Sequence, residues 1–545
     1  MINCWIVLLP PIVVLALALT TKNVIVSLLS GIFAACLIAT NCHGGDTLTL
    51  MFKQLYIQTH IPNLILQTGD YGHLYTCGFL VVLGILIQLM THSGGMRAYT
   101  TAISKIVYKP RSAQLISLSI SSTFFLDDYF NTYTTGAIMR PLFDKFSIPR
   151  AKLAFLLNSM SGPLCLLIPA SSWVAFILGQ FASNGLSTNT QGNPLILADP
   201  FSVYLQMIPY LFYPALIIFS AWLIVYRPIS YGAMRRFETI AAETGNLFGG
   251  KTPLHQQEPE TQNLATHKGS LSLFFIPLGT FLVGVPLTAL YAVGWNPFGG
   301  EVHWYQAFQS DTVINIALFH ASMLALIAML VYLIAKRIFP ARLYGKIFLS
   351  GIKLVQSSLV LLLLTWTFSE VLRSNLQTGN YVATLVMSYV PLFIIPCALF
   401  VVSTLVSAAT GSSWGTVSIM LPICIPTLAL LTGHTPALIP EISLLFPSIG
   451  AILSGIVAGS HISPISDATI VASNSVQCYH IDHVQTQAAY SLPAIIASGL
   501  GFLVLPMVST SYLNSFLILI AIGLLTALLL LAQDTWAKKN VAIKQ

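Results

Sequence analysis

Long apolar runs broken by short polar ones fill this chain from end to end. Runs of about 20 residues, the length a helix needs to cross a bilayer, occupy 4–20, 22–41, 75–95, 201–226, 270–294, 311–335, 350–374, 487–508 and 511–533. A semi-polar stretch, 42–72, whose only lysine or arginine is Lys53, reads as a region holding an interfacial helix. Four other segments are apolar but interrupted. Residues 113–145 have basic flanks on both sides, Lys109 and Arg111 before, Arg140, Lys145, Arg150 and Lys152 after. The chain therefore enters and leaves on one side. Each arm is about 14 residues, roughly 21 Å of helix, too short for a core of about 30 Å. The pattern predicts a re-entrant hairpin with Asp127 and Asp128 at its tip, two short spans being the alternative. Residues 391–432, without basic flanks, predict a second hairpin entering from the other side. Residues 152–186 and 441–476 predict broken crossings, interrupted at Ser161-Gly162-Pro163 and Pro169-Ala170-Ser171-Ser172, and at Gly459-Ser460-His461-Ile462-Ser463-Pro464. Proline removes a helix donor and glycine loosens the backbone there.

Charge orients these elements. Arg97, Lys105, Lys109 and Arg111 lie in one loop, Arg235, Arg236, Lys251 and Lys268 in 227–269, and Lys336, Arg337 and Lys346 in a third. The positive-inside rule makes these loops cytoplasmic. The loops around 187–200 and 295–310, with no Lys or Arg, fall outside; Lys538 and Lys539 put the C-terminus inside. The expected fold is an all-α polytopic membrane protein with about 11 crossings, two re-entrant hairpins and two broken helices. It divides into a first repeat, 1–226, a cytoplasmic linker, 227–269, a second, inverted repeat, 270–508, and a final helix with its tail, 509–545. Thr135 to Pro141 align with Thr416 to Pro422, and Ser161-Gly162 with Ser454-Gly455. Inverted repeats whose interrupted helices meet at the bilayer midplane are the architecture of secondary transporters.

Composition agrees. Of 545 residues 55% are hydrophobic and only 8% charged, against about 25% charged in a soluble domain. The net charge of +7 sits in short loops and marks topology rather than nucleic-acid binding. Met1-Ile2-Asn3-Cys4 lacks a basic leader and reads as the start of a first span. The eight cysteines form no CxxC pair and read as small buried hydrophobes.

Aspartate at mid-bilayer depth costs about 2.5–3.5 kcal/mol, so Asp127 and Asp128 mark an ion or substrate path. Neighbours on a helix point about 100° apart; one acid would ligate while the other caps the returning arm, or both would cap. Asn131 follows on the same turn. Asp467 opens the helix after the second break, facing the cavity or complementing the helix dipole. His461 would relay protons or satisfy a loose carbonyl. The hydroxyls of Ser171, Ser172, Ser412, Ser413, Thr416, Ser463 and Ser466, with carbonyls freed at the breaks, are hard oxygen ligands suited to Na⁺ or, alternatively, helix glue. Any bound metal would be Na⁺ at this midplane site. Glu370 reads as interfacial, and Asp482 and His483 as residues of a cytoplasmic mouth or a helix cap. Gly411-Ser412-Ser413-Trp414-Gly415 matches the hydrolase elbow GxSxG, but that motif needs a strand before the serine; no enzyme is expected.

Asp127-Asp128-Tyr129-Phe130-Asn131, Met139-Arg140-Pro141, Ser171-Ser172-Trp173, Ser413-Trp414-Gly415-Thr416, His461 to Asp467 and His480 to Val484 together resemble the NhaC-type Na⁺/H⁺ antiporter family, in order over about 75–490. The resemblance implies Na⁺/H⁺ exchange in a bacterial inner membrane, or the activity of a related group that exchanges organic acids such as malate and lactate with these ions. Three positions depart from the family pattern: Asn158, Ser460 and Tyr479 stand where relatives carry acids.

The leading expectation is therefore alternating-access exchange in which one carboxylate holds either H⁺ or Na⁺. No cofactor is needed; the bilayer and small cations are the partners, and a homo-oligomer is left open. The rival is a Na⁺- or H⁺-coupled carrier of a small organic acid or amino acid, with Arg140 and helix N-termini meeting its carboxylate.

Overall fold

Every apolar run becomes helix, because backbone in hydrocarbon must satisfy its N–H and C=O groups within its own segment. The computed structural model describes residues 5–21, 23–61, 71–95, 98, 102, 109–125, 127–169, 171–188, 194–253, 269–292, 294, 311–378, 381, 391–464 and 466–542. Met1–Cys4, Arg97, Lys105, Ala170, Lys268, the loop 295–310 and Ile465 lie outside them. Eight described helices are long and apolar enough to cross a membrane, or up to 10 when each of two bent pairs counts as one span. These include both arms of the second hairpin, Leu392–Thr410 and Ser413–Leu430. The larger count expected from the sequence also used Leu9–Thr21, Val24–Ala39 and Ala341–Glu370. The semi-polar stretch contains the helix Gly44–Gln58. The protein is an all-α polytopic membrane protein.

The first hairpin has arms Pro110–Thr123 and Asp128–Lys145. Its arms are stapled near the tip: the Ser121 hydroxyl donates to Asn131 Oδ1 (2.7 Å) and Asn131 Nδ2 to the Ser121 carbonyl (2.8 Å). The first broken helix follows as Arg150–Leu167 and Ser172–Ser183. The second hairpin has arms Ile395–Thr410 and Ser413–Leu430, and the second broken helix runs as Leu445–Ile462 and Asp467–Val476. A closing helix, His480–Val508, packs against both broken helices.

The two broken helices run in opposite directions. Arg150 Nη1 donates to the Gln477 carbonyl (3.3 Å), joining the start of the first to the end of the second. At the far end, Ile196, beyond the first, bridges to Ala437, just before the second. Both leading halves are 18 residues long, and Pro169 and Pro464 each hold the second position of the break that follows. With the breaks aligned, Ser161 corresponds in position to Ile456, two residues from the expected pairing of Ser161-Gly162 with Ser454-Gly455. Small residues recur along both helices, at Gly162 and at Gly450, Gly455 and Gly459, and a small-residue match alone does not fix register.

The expected irregular linker contains a helix, Gly232–Thr244, which buries Met234, Phe237 and Ala241. Glu238 on it bonds Lys152 and the Ser230 hydroxyl. Beyond it the chain folds over the start of the first broken helix. Arg150 lies 4.8 Å over the Phe248 ring and forks onto both oxygens of Asp144 at 3.1 and 2.9 Å. The only described strands are two-residue pieces, Leu186–Ser187 and Ile196–Leu197, paired in parallel.

Candidate functional site

Four helix interruptions meet in the interior. Asp127 precedes the Asp128–Lys145 arm, its carbonyl accepting the Asn131 N–H at 3.0 Å as an N-cap residue does. Its carboxylate reaches across to the first broken helix, where the Ser172 hydroxyl donates to Oδ2 (3.0 Å). Asp128, one residue on, is 4% exposed, and its Oδ1 has no hydrogen-bond partner among the described residues. It lines a cavity with Asn158, Trp173, Ser413, Ser460 and His461. Trp173 Nε1, an N–H donor, lies beside the Asp128 carboxylate. The cavity leaves about 10 Å³ for the centre of a water-sized sphere, room for one water or one bare cation. Trp173 packs against Trp414 of the opposite tip at 5.0 Å between ring centroids.

Asp467 is tied to both hairpin tips. The Tyr129 hydroxyl donates to its Oδ2 at 2.5 Å, and its own backbone N–H donates to the Gly411 carbonyl at 3.2 Å. Gly411 ends the outgoing arm in the left-handed region (φ 71°), a conformation that costs glycine nothing. Its carbonyl is thereby spent on Asp467.

Most of the expected hydroxyl ligands have structural partners. Ser171 donates to the Cys165 carbonyl (2.6 Å) and caps its helix by accepting the Val174 N–H. Ser412 caps the returning arm of the second hairpin, accepting the Gly415 N–H at 3.1 Å. Thr416 bonds back to the Ser412 carbonyl (2.8 Å), Ser463 to the Ala408 carbonyl (2.6 Å), and Ser466 shares a 2.6 Å bond with Ser460. Ser413 makes one long contact, 3.4 Å to the Ile456 carbonyl, and faces the cavity. Asn131 staples the first hairpin and does not line the cavity. No group of three or more His, Cys, Asp or Glu among the described residues could hold a metal ion.

His461 uses both ring nitrogens, with the Tyr213 hydroxyl 2.8 Å from Nδ1 and Nε2 donating to the Asn158 carbonyl at 3.1 Å. A carbonyl only accepts, so Nε2 carries a proton, and the ring ties the Leu445–Ile462 helix to Asn158 and Tyr213. Ser413 does not complete a hydrolase elbow, since helix rather than strand precedes it and both nitrogens of His461 are engaged. Arg140 lies near Arg150 and Asp144, away from the cavity. Asp482 is buried and paired with Lys251 at 2.6 Å; His483 is fully buried inside the first turns of the closing helix rather than open at a mouth. Tyr129, Asn158, Trp173 and Ser460 are site residues that were not among the expected ligands. Asn158 and Ser460 carried a signal as departures from family acids, and Tyr129 carried none beyond its place in a motif.

Residues 164–507 match the profile of the Na⁺/H⁺ antiporter family. An uncharacterized protein of Haemophilus influenzae is 29% identical over 502 residues, 91% of this chain and 89% of that one. The malate-2H⁺/Na⁺-lactate antiporter of Bacillus subtilis is 33% identical over 132 residues, 23% of this chain and 25% of its own. Among solved structures, the YdaH transporter of Alcanivorax borkumensis shares the fold, with a TM-score of 0.51 at 15% identity over 85% of this chain and 89% of that one.

Proposed function

The chain belongs to the Na⁺/H⁺ antiporter family, and we propose that this secondary transporter exchanges Na⁺ for H⁺ across the membrane by alternating access. Asp128 is the carboxylate that holds one ion or the other. The observation that carries this reading is its unpartnered Oδ1 in a cavity with room for one water. A buried carboxylate oxygen needs a proton, a cation or a donor; the Trp173 N–H lies beside this carboxylate as a donor, and a proton or cation in the cavity would serve Oδ1. Proton and Na⁺ compete for one oxygen, so taking up either expels the other. Asp127, held by Ser172, and Asp467, held by Tyr129, already have donors. They add negative charge around the ion and join the elements that must separate to open the site.

The partial likeness to an antiporter named for malate and lactate supports a second reading, a carrier that couples these ions to a small organic acid. The small cavity and the position of Arg140 weigh against it. In everted vesicles with an imposed pH gradient, Na⁺ addition dissipates the gradient in the wild type and not in Asp128→Asn. Dissipation by malate or lactate but not by Na⁺ alone would replace the first reading with the second. Retained Na⁺ response in Asp128→Asn would remove Asp128 from its role.

A further inference from the structure

The helix Ala341–Glu370 has two unlike faces. One packs against the helix Gly72–His92 at backbone distance: a Cβ on Gly351 would stand 2.6 Å from the Ile85 Cα, and one on Gly84 would stand 2.5 Å from the Gly351 carbonyl. Ile347 and Val355, one turn to either side of Gly351, are buried on the same face. Arg342, Lys346 and Lys353 are all exposed. At about 100° per residue, each lies about 140° or more around the helix from Gly351. They form one stripe opposite the packed face. Leu349 stands between Lys346 and Lys353 on that stripe, 54% exposed, with Ile352 beside it at 41%.

The charge of this stripe is unanswered within the protein. Lys336 and Arg337, just beyond the preceding helix Asp311–Ala335, add two more exposed cations. No acid occurs in the sequence between Asp311 and Glu370. None of the five cationic side chains makes a hydrogen bond or ion pair among the described residues. Elsewhere Arg150, Lys152, Lys251 and Lys538 each have a carboxylate. Like charges four residues apart on a helix, as at Arg342 and Lys346, repel, so the stripe favours an anion from outside the chain. The positive-inside rule accounts for cations at this end, but it counts them without regard to face. Their collection opposite the packed face is a separate feature.

Helix length sets the depth of these cations. The helix has 30 residues, and a hydrocarbon core of about 30 Å takes about 20 of them. About ten remain at the basic end, and they include Arg342 and Lys346. Lys353 falls near the boundary, where its long stem lets the ammonium reach the headgroup layer. We propose that the stripe of Arg342, Lys346 and Lys353 binds the headgroup of an anionic phospholipid in the leaflet at the basic end. The phosphate diester oxygens accept N–H bonds from Arg342 and Lys346, one turn apart. Leu349 and Ile352 meet the glycerol and the first acyl carbons. This shared face favours a lipid over free phosphate, because a free anion gains nothing from exposed apolar side chains. The site is independent of which ion the protein exchanges.

Thermal unfolding of the full chain in detergent tests the site, with dioleoylphosphatidylglycerol, dioleoylphosphatidylcholine or inorganic phosphate added at equal concentration. A ligand that binds only the folded protein raises its midpoint. Phosphatidylglycerol is expected to raise the wild-type midpoint at least about 4 °C above phosphatidylcholine, and inorganic phosphate to leave it unchanged. Arg342→Gln/Lys346→Gln/Lys353→Gln should lose at least about three-quarters of that difference. Lys538→Gln/Lys539→Gln, on the final helix, should keep it. Equal stabilisation of the wild type by the two lipids overturns the proposal, as does equal stabilisation by inorganic phosphate, which would mean a free-anion site. An undiminished difference in the triple variant overturns it too. Equal loss in the Lys538/Lys539 variant would mean diffuse charge rather than a site. If the triple variant is not recovered folded, Arg342→Gln/Lys346→Gln must lose about half of the difference or more, and a smaller loss overturns the site.

Discussion

The two hairpins turn the chain in the protein's interior by different chemistry. The first uses charge: Asp127 before the returning arm, Asp128 at its start, and a polar staple between Ser121 and Asn131. The second uses backbone geometry: a left-handed glycine, Gly411, and a serine cap, Ser412, with no acid. When Thr135 is aligned with Thr416, Asp128-Tyr129-Phe130-Asn131 correspond to Ala409-Thr410-Gly411-Ser412. The first returning arm thus starts one turn earlier, and that extra turn carries Asp128, the Asp467-binding tyrosine and the staple. Two related loops have divided the work. One carries the two buried acids, and the other holds Asp467 in place through the Gly411 carbonyl.

The largest effect should come from separating the two adjacent acids. Asp128→Asn is expected to lower Na⁺-driven exchange at least about 100-fold, roughly 2.7 kcal/mol or more in the barrier. Asp127→Asn keeps its bond to Ser172 in altered form and should lose less than about tenfold. Measured in everted vesicles at equal expression, equal losses would break the division of roles between cap and carrier.

Packing offers the next contrast. The second hairpin lies so close to the Leu445–Ile462 helix that a Cβ on Gly459 would stand 2.3 Å from the Thr404 carbonyl, and one on Gly455 would stand 2.6 Å from that of Phe400. Small residues allow this approach in membranes. Gly459→Leu should destabilise the protein by about 3 kcal/mol or more, seen as loss of folded protein in detergent. In the first hairpin Asn131→Leu leaves the Ser121 groups without their partner, at about 1–3 kcal/mol. A Gly459→Leu variant as stable as Asn131→Leu would show that both hairpins are held alike.

Tyr129→Phe removes the donor on Asp467 Oδ2. A hydrogen bond to a charged group is worth about 1.5–3 kcal/mol, so apparent Na⁺ affinity should shift on the order of tenfold with the fold intact. An unchanged affinity would make Asp467 an anchor for Gly411 alone.

Much of this was legible in the sequence for one reason: hydrocarbon tolerates few exceptions. Basic flanks on both sides of 113–145 and the prolines at 169 and 464 are visible without a structure, because each breaks a rule the bilayer enforces. The roles of the hydroxyls were not. Ser463 bonds a carbonyl 55 positions away, and Ser171 and Ser412 satisfy helix ends. A serine's partner is set by which helices pack together. The linker helix was hidden similarly: its 13 residues are held by a partnership between Glu238 and Lys152, 86 positions apart. The unpartnered Oδ1 of Asp128 is a property of packing and has no sequence signature.

The smallest expected effect tests the second tip most finely. Ser412 has the residue type of an ion ligand, but its Oγ accepts the Gly415 N–H, as an N-cap does. If capping is its whole role, Ser412→Ala should cost about 1 kcal/mol of stability while Ser412→Gly costs only a few tenths, because glycine leaves the helix end open to other partners. Neither change should then alter the Na⁺ concentration giving half-maximal exchange. A ligand would behave in the opposite way: alanine and glycine both lack the oxygen and would weaken Na⁺ equally. Thermal unfolding of the three proteins, with Na⁺ titrations of exchange beside it, distinguishes the cases. An equal loss of Na⁺ affinity in both variants would return the second tip to the ion's coordination shell and end the asymmetry between the hairpins.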